Sequence, residues 1–207
     1  MKRTVFYIFC AITLFSCENS YGQNSKLTTY KSYFDNQLKG WTKAFNKFTL
    51  SSFKKEESVA FEDFDYMDTI DVKEFYSIYK PALTFSKDRN QFIDIYSYWL
   101  NLDKEGKTIV SRGGEPDQAI TLCNFKTKKW ARILFRGTTE RIQDVFWVTN
   151  SKFILGGIRE NKSPVIYLGD TNSRTFESFV SADIRSVRKK GSDYNSPKLL
   201  RLKIKEL

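Results

Sequence analysis

From Leu83 onward, the chain consists of short runs of β-branched and aromatic residues separated by turn-forming residues. Runs of this length are typical of strands and too short for substantial helices. Their close spacing along the chain favours antiparallel neighbours joined by tight turns. We therefore predict a β-meander with strands over residues 91–98, 119–124, 130–135, 144–149, 152–157, 164–168, 175–180 and 198–205.

The second half of the chain also repeats weakly, with an offset of 46 residues. A repeat of this length formed by four strands is typical of a propeller blade. The aligned pairs are Leu122 with Leu168, Trp130 with Phe176, Ile133 with Phe179, and the turn 126–128 with the turn 172–174.

A further pair of segments, 85–88 and 147–150, precedes two of the predicted strands. The first segment resembles the WD-repeat-like blades of TolB-type periplasmic propellers, which open with an aromatic residue, Ser-Pro-Asp-Gly and a strand. Phe85, Ser86 and Asp88 match this pattern, while Lys87 replaces the proline and Arg89-Asn90 replaces the glycine turn. The second segment keeps mainly the aromatic residue. The resemblance covers residues 83–180 and implies propeller-like blades.

A closed propeller needs at least four blades, and this chain has sequence for about two. We therefore predict a mainly β fold with an N-terminal α-helical segment, in which an antiparallel β-meander forms about two propeller-like blades and no closed monomeric ring. Two arrangements fit: a two-sheet stack whose open edge is covered by the N-terminal helices, or a partial ring completed by another molecule. We favour the covered stack.

Two helices are predicted before the meander. Between Tyr30 and Phe48, large apolar residues recur in steps of three and four, with Thr28 or Thr29 as the cap. Gly40 is a weak helix former inside this segment and favours a helix that is kinked or shorter than the pattern. The second helix starts near Asp71, in a capping-box spacing, and ends before Pro81. The apolar positions are Phe34, Leu38, Trp41, Phe45 and Phe48 in the first helix, and Val72, Phe75, Tyr76 and Tyr79 in the second.

The N-terminus has the pattern of an export signal. Lys2 and Arg3 precede an apolar run from Val5 to Phe15, which is shorter than the roughly 20 residues of a membrane-spanning helix. We predict an exported chain with a signal peptide over 1–16, a tether and helical segment with an acidic stretch over 17–81, and the β-meander domain over 82–207.

The end of this signal, residues 14–17, resembles the lipobox of bacterial lipoproteins. Leu14, Ser16 and Cys17 match, and Phe15 is bulkier than the usual residue. The resemblance implies a lipid on Cys17 and a chain anchored in the cell envelope, on the outer side of the inner membrane or in the outer membrane. The alternative is ordinary cleavage after Ser20-Tyr21-Gly22, which would release a soluble periplasmic or secreted chain starting at Gln23.

The charge of the chain, formally +10, is polarised along the sequence. Eight acidic residues lie between Glu56 and Glu74, where we predict a solvated link between the helices, and eight basic residues lie between Arg185 and Lys205. The basic pole fits anionic lipid headgroups, an anionic glycan or an acidic protein. Nucleic acid is not an expected partner of an exported chain.

The composition excludes several kinds of chemistry. The chain has no histidine, which excludes Ser-His-Asp and Cys-His triads. Cys10 lies in the export signal and Cys17 at its end, so Cys123 is the single cysteine of the mature domain, and its apolar neighbours indicate a buried, unreactive thiol. The sequence has no phosphate-binding loop, dinucleotide fingerprint or calcium loop, and we predict no catalytic residue, metal site or cofactor.

Arg112, Glu115 and Asp117 are candidate binding residues in a loop between two predicted strands. A pair of carboxylates is the catalytic device that remains without histidine, because glycoside cleavage needs an acid and a base or nucleophile about 5 to 10 Å apart. Ordinary turn chemistry, with Gly113, Gly114 and Pro116, explains the same cluster.

The predicted C-terminal strand supplies a second set of candidates. Alternation would place Leu200, Leu202 and Ile204 in the core and three cations on the opposite face, about 7 Å apart. Such a row could bind a polyanion, or it could protect an edge strand from aggregation. The three cations are Arg201, Lys203 and Lys205.

Together, these patterns predict an exported envelope protein that acts as a non-catalytic binding or scaffolding module. A carboxylate-dependent carbohydrate-active enzyme and a polyanion-binding adhesin that uses the C-terminal strand are the alternatives.

Overall fold

The computed structural model describes residues 26–65 and 72–205. The export signal, the predicted lipid site Cys17 and the predicted cap Asp71 lie outside these ranges. No helix within them is long and apolar enough to span a bilayer. The helices are α1 (Lys31–Asn36), α2 (Lys39–Lys43), α3 (Val72–Tyr79) and α4 (Pro197–Leu200), with 3-10 helices at Lys26–Tyr30 and Leu50–Ser52.

The strands form two five-stranded antiparallel sheets and a separate hairpin. Sheet I has the order β1-β12-β11-β10-β9, sheet II has the order β2-β8-β7-β4-β3, and β5 pairs with β6. This confirms a mainly β, antiparallel fold with an N-terminal helical segment, and neither sheet closes on itself. The strands are β1 (Phe53–Ala60), β2 (Phe64–Asp65), β3 (Thr84–Phe85), β4 (Gln91–Asp94), β5 (Leu100–Glu105), β6 (Thr108–Gly114), β7 (Gln118–Asn124), β8 (Lys129–Arg136), β9 (Glu140–Trp147), β10 (Lys152–Arg159), β11 (Pro164–Asp170) and β12 (Thr175–Ser181).

Sheet I is buried on both faces. In β10, Phe153 and Leu155 belong to the core shared with sheet II, whereas Ile154 belongs to the core shared with the N-terminal helices. Tyr167 and Ile166 divide in the same way in β11. Because successive strand residues point to opposite faces, one sheet fills two cores and the molecule has three layers.

The N-terminal helical segment covers the outer face of sheet I. Phe34, Leu38, Trp41 and Phe45 are buried there, as their helical spacing predicts. The predicted helix is interrupted: α1 and α2 are separated at Leu38, whose backbone leaves the helical region. The break lies two residues before the weak helix former Gly40.

In its described part, residues 56–65, the acidic stretch is not the solvated link that we predicted. Its first part forms β1, which joins sheet I beside β12, and β2, which joins sheet II beside β8. Two of its side chains pair with basic residues: Glu62 forms an ion pair with Arg132 of β8 at 2.6 Å, and Asp63 accepts a hydrogen bond from Nε of Arg174, in the turn before β12, at 2.9 Å. The second predicted helix is confirmed as α3, which packs Phe75 against sheet II.

The two hairpins related by the 46-residue offset begin at equivalent positions. In the β7–β8 turn, Oδ1 of Asn124 accepts from the backbone N–H of Lys126 at 3.0 Å, and Lys128 has φ 54°. In the β11–β12 turn, Oδ1 of Asp170 accepts from the N–H of Asn172 at 2.9 Å, and Arg174 has φ 56°. The same side-chain-to-backbone turn chemistry therefore closes both hairpins.

The prediction of a C-terminal strand over 198–205 is wrong. Pro197 occupies the first turn of α4, and Oγ of Ser196 accepts from the N–H of Lys198, so a capped helix starts where we expected a strand. Leu200 is 63% exposed while Leu202 is buried, which breaks the predicted alternation. Only Lys205 makes a bridge, with Val110 of β6.

Candidate functional site: two adjoining basic clefts

The structure separates the sequence-predicted candidates. Arg112 lies in β6 and is paired with Asp103 at 3.0 Å and with Glu105. The hydrogen bond to Asp103 raises the pKa of Arg112. Its charge is therefore matched by two carboxylates of its own hairpin.

Glu115 and Asp117 lie in the connection from β6 to β7. Glu115 is exposed, and its backbone N–H donates to the carbonyl of Trp99 at 2.9 Å. Between them, the carbonyl of Pro116 accepts a hydrogen bond from Nη2 of Arg141 at 3.0 Å. The loop thus contacts Arg141 of β9 through its backbone.

Arg201, Lys203 and Lys205 follow α4 and are exposed. They do not stand in a row on one strand face, because Lys203 adopts a left-handed backbone with φ 48°. Lys205 is bonded through its backbone to Ile109 and Ser111 of β6. The row of cations that strand alternation predicted, as a polyanion site or as protection of an edge strand, is therefore not formed by these three residues.

A cleft of about 310 Å³ lies between Arg141 of β9 and the C-terminal segment. We call it the arginine pocket, because two guanidinium groups line it, from Arg141 and Arg188. Its other lining residues include Tyr96, Trp99, Asp193, Tyr194 and Leu199. The volume suits a small ligand or one unit of a larger ligand.

The guanidinium group of Arg141 lies over the indole ring of Trp99 in this pocket. Its guanidinium carbon lies 4.4 Å from the ring centroid of Trp99, and Trp99 is fixed by a hydrogen bond from Nε1 to the carbonyl of Ile95. Burial lowers the pKa of Arg141, and the charge of Asp117 opposes this effect. Because a guanidinium group stays protonated in proteins, Arg141 is a cation whose burial Asp117 offsets only in part.

Arg188 enters the pocket from the segment after β12. Its backbone is fixed by a hydrogen bond from its N–H to Lys162 and by a bridge with Phe45. Its side chain is 19% exposed, and Nη1 lies 3.7 Å from the carboxylate of Asp193, which is 92% exposed. Nε and Nη2 are buried and have no hydrogen-bond partner among the described residues. Unpaired buried donors cost about 1 to 3 kcal/mol each.

One buried carboxylate holds the wall of the pocket in place. Asp144, in β9, accepts from Nζ of Lys198 at 2.6 Å and from the hydroxyl of Tyr194. Burial, followed by the charge of Asp144, raises the pKa of Tyr194. The C-terminal segment 194–199 is thereby fixed to sheet I.

A second cleft of about 400 Å³ adjoins the pocket and shares Arg188 and Asp193 with it. We call it the basic cleft, since Lys162, Lys189 and Lys190 also line it. Nζ of Lys189 donates to the carbonyl of Lys43 at 2.7 Å, so its charge has no carboxylate in that contact. No salt bridge is formed by these three lysines within the described residues.

Sequence reasoning identified the basic pole but not the residues that shape it. Arg141 carries no local motif, and Arg188 is one of eight cations in the C-terminal region. The available signal was the cluster Arg188-Lys189-Lys190 before Gly191. No group of three potential metal ligands occurs in the part of the chain that the structure describes.

Comparison with known proteins finds no relative: no family model, curated protein or solved structure matches the chain. The site geometry is therefore the basis for the functional argument.

Proposed function

We propose that this chain is an exported envelope protein, anchored by a lipid on Cys17, that binds an acidic polysaccharide in the basic cleft without catalysing its cleavage. The observation that carries the proposal is the uneven neutralisation of charge. In the described part of the acidic stretch, Glu56, Glu62 and Asp63 pair with the basic residues Arg159, Arg132 and Arg174. The lysines of the basic cleft have no such partners among the described residues.

A binding role fits the buried acids better than a catalytic role does. A general acid must reach the bond that it cleaves. Asp94 is 1% exposed and its pKa is raised by burial, but it accepts hydrogen bonds from Tyr96 and Ser97. Asp144 is occupied by Lys198 and Tyr194. These two buried carboxylates are thus structural, and the loop carboxylates Glu115 and Asp117 remain the candidates for the enzyme alternative.

The two sheets support the propeller-like part of the proposal. The edge strands at which the two meanders begin, β3 of sheet II and β9 of sheet I, contact each other, and Nε1 of Trp147 donates to the carbonyl of Thr84 at 2.9 Å across this junction. Strands then follow outward in meander order, β4-β7-β8 and β10-β11-β12. The β5–β6 hairpin is inserted between β4 and β7, whereas the turn 160–163 joins β10 to β11. We propose two blade-like units, the first enlarged by this hairpin.

Binding to polygalacturonate, with dextran as the neutral polymer, tests the proposed function. Replacing Lys162 and Lys190 with Gln should weaken binding at least tenfold, because two cleft charges are lost. The matched control replaces Lys104 and Lys107 of the β5–β6 hairpin, which changes the net charge equally. Binding should also weaken from 0.1 to 1 M salt, as the Debye length falls from about 10 to about 3 Å.

Equal losses in both double variants, or no polygalacturonate binding at 0.1 M salt, would reject the basic cleft. Shortened polymer chains in the wild-type sample, absent after Glu115→Gln, would favour the enzyme instead. Mass spectrometry of the chain from its native membrane tests the anchor. We expect a lipidated Cys17, and an unmodified terminus at Gln23 would contradict it.

A further inference from the structure

We propose that the arginine pocket binds one compact oxyanion group, a carboxylate or a phosphate, between Arg141 and Arg188. The proposal rests on the proposed function, because the pocket opens beside the basic cleft and shares Arg188 with it. It adds that one acidic group of the ligand is bound specifically in the arginine pocket, in addition to the general attraction between the ligand and the lysines of the basic cleft.

The unmet bonding capacity of Arg188 is the first argument. A guanidinium group has five N–H donors. In Arg188, Nε and Nη2 have no partner among the described residues, and Nη1 is 3.7 Å from its nearest carboxylate, beyond hydrogen-bonding distance. A bound oxyanion within hydrogen-bonding distance of this side chain would satisfy these donors.

The orientation of Arg141 is the second argument. Stacking on Trp99 and the bond to Pro116 fix the plane of its guanidinium. Only Nη2 of Arg141 donates in that bond, and the other donors of Arg141 make no hydrogen bond to the described residues. These donors are therefore available to a ligand. A planar fork held in one orientation favours two-point binding of a carboxylate or phosphate.

The walls of the pocket limit what it can accept. Its volume of about 310 Å³ fits one sugar-sized unit, and Tyr96 and Leu199 provide apolar surface for a carbon skeleton. The wall formed by segment 194–199 is fixed through Asp144. The pocket is therefore built before a ligand enters, which lowers the entropic cost of binding.

Asp193 is the carboxylate that faces the proposed site. It is almost fully exposed and lies close to Arg188 without a hydrogen bond, so a ligand oxyanion would compete with it. Removing its charge should therefore strengthen oxyanion binding, an effect that a purely structural role for Asp193 would not produce.

Titration calorimetry with galacturonate, inorganic phosphate and galactose tests the proposal. We expect galacturonate or phosphate to bind and neutral galactose not to bind, and the stronger of the two anions identifies the group. Arg141→Met should weaken binding at least tenfold, and Arg141→Lys should restore only part of it. Asp193→Asn should strengthen binding two- to fivefold. Arg112→Met, on the separate hairpin, is the matched control and should leave binding unchanged.

Thermal melting of each variant checks that it is folded, and Arg188→Lys provides a second variant that keeps the charge but loses the fork. No anion binding, equal binding of galactose, or equal weakening by Arg112→Met would overturn the inference. The Lys162→Gln, Lys190→Gln variant separates the two proposals, because it should weaken binding of the polymer in the basic cleft and leave Arg141 and Arg188 in place to bind the small anion. Small-anion binding without polymer binding in the wild type would refute the proposed function alone, and the reverse would refute the pocket alone.

Discussion

Nζ of Lys198 lies 2.6 Å from Oδ1 of Asp144, a residue that is 2% exposed in β9. The same ammonium group also contacts the carbonyl of Val145, and Tyr194 donates to the other oxygen of Asp144. These contacts join the C-terminal segment to sheet I. They also set the position of one wall of the arginine pocket.

Lys198→Met should therefore destabilise the protein by about 3 kcal/mol, because it leaves the carboxylate of Asp144 buried without its counter-ion. Chemical denaturation measures the change in the free energy of unfolding. Arg201→Met, three residues later and exposed, is the control and should change stability by less than about 0.5 kcal/mol. Equal effects of the two substitutions would show that the pair contributes little.

Gly169→Ala should cost about 2 kcal/mol or more, because the ring of Phe153 occupies the space of a side chain at this position. The two residues are cross-strand partners, and a Cβ on Gly169 would lie 2.2 Å from Cζ of Phe153. Gly137→Ala, where the nearest atom is 3.8 Å away, is the matched control. Denaturation midpoints compare the stabilities of the two variants. Adding Phe153→Leu to Gly169→Ala should recover part of the lost stability, because the smaller side chain leaves room for the new Cβ.

The thiol of Cys123 should resist labelling in the folded protein. Cys123 is 6% exposed, and burial raises its pKa to about 12, so the reactive thiolate is scarce at neutral pH. Labelling with a thiol reagent should be slow in buffer and complete in denaturant. Rapid labelling of the native protein would contradict a buried position beside Phe92 and Trp130.

The pair between Glu56 and Arg159 should make stability depend on pH in the acid range. A bulge in β1 at Glu56 accompanies its bonds to Arg159, and these bonds lower the pKa of Glu56. The stabilisation is present above the unfolded-state pKa and is lost as pH falls through the lowered folded-state pKa. Partial exposure limits it to about 0.5 to 1 kcal/mol.

Denaturation of wild type and Glu56→Gln at several pH values measures this contribution. The variant should be less stable at pH 7, and the difference should shrink as the pH falls below 4. Glu57→Gln, at the next and exposed residue, controls for the loss of one negative charge. A difference that stays constant with pH would contradict the role of the ion pair.

Local sequence patterns predicted the strands and turns whose formation depends on residues close together in the chain. The runs around Leu122 and Leu168 formed equivalent strands, because the short apolar runs, which are buried along most of their length, and the turn chemistry at Asn124 and Asp170 act within a few residues. The helical spacing of Phe34 and Trp41 likewise identified the face that is buried.

The C-terminal segment shows where a local pattern misled. Leu200, Leu202 and Ile204 alternate as a strand would, but Ser196 and Pro197 start a helix. The edge of β6 accepts only Lys205 as a bridge partner. Two local preferences compete in this segment, and helix capping has the stronger effect here.

The sequence by itself thus determined a β-rich chain with a repeated hairpin, a helical face and a basic C-terminal region. Only the tertiary structure decided that the acidic stretch supplies strands to both sheets and that Arg141 and Arg188 line one pocket. These two arginines are 47 positions apart, and no local interaction links them. Their meeting depends on the pairing of distant strands and on the bond between Lys198 and Asp144, which are long-range contacts that no short window of sequence contains.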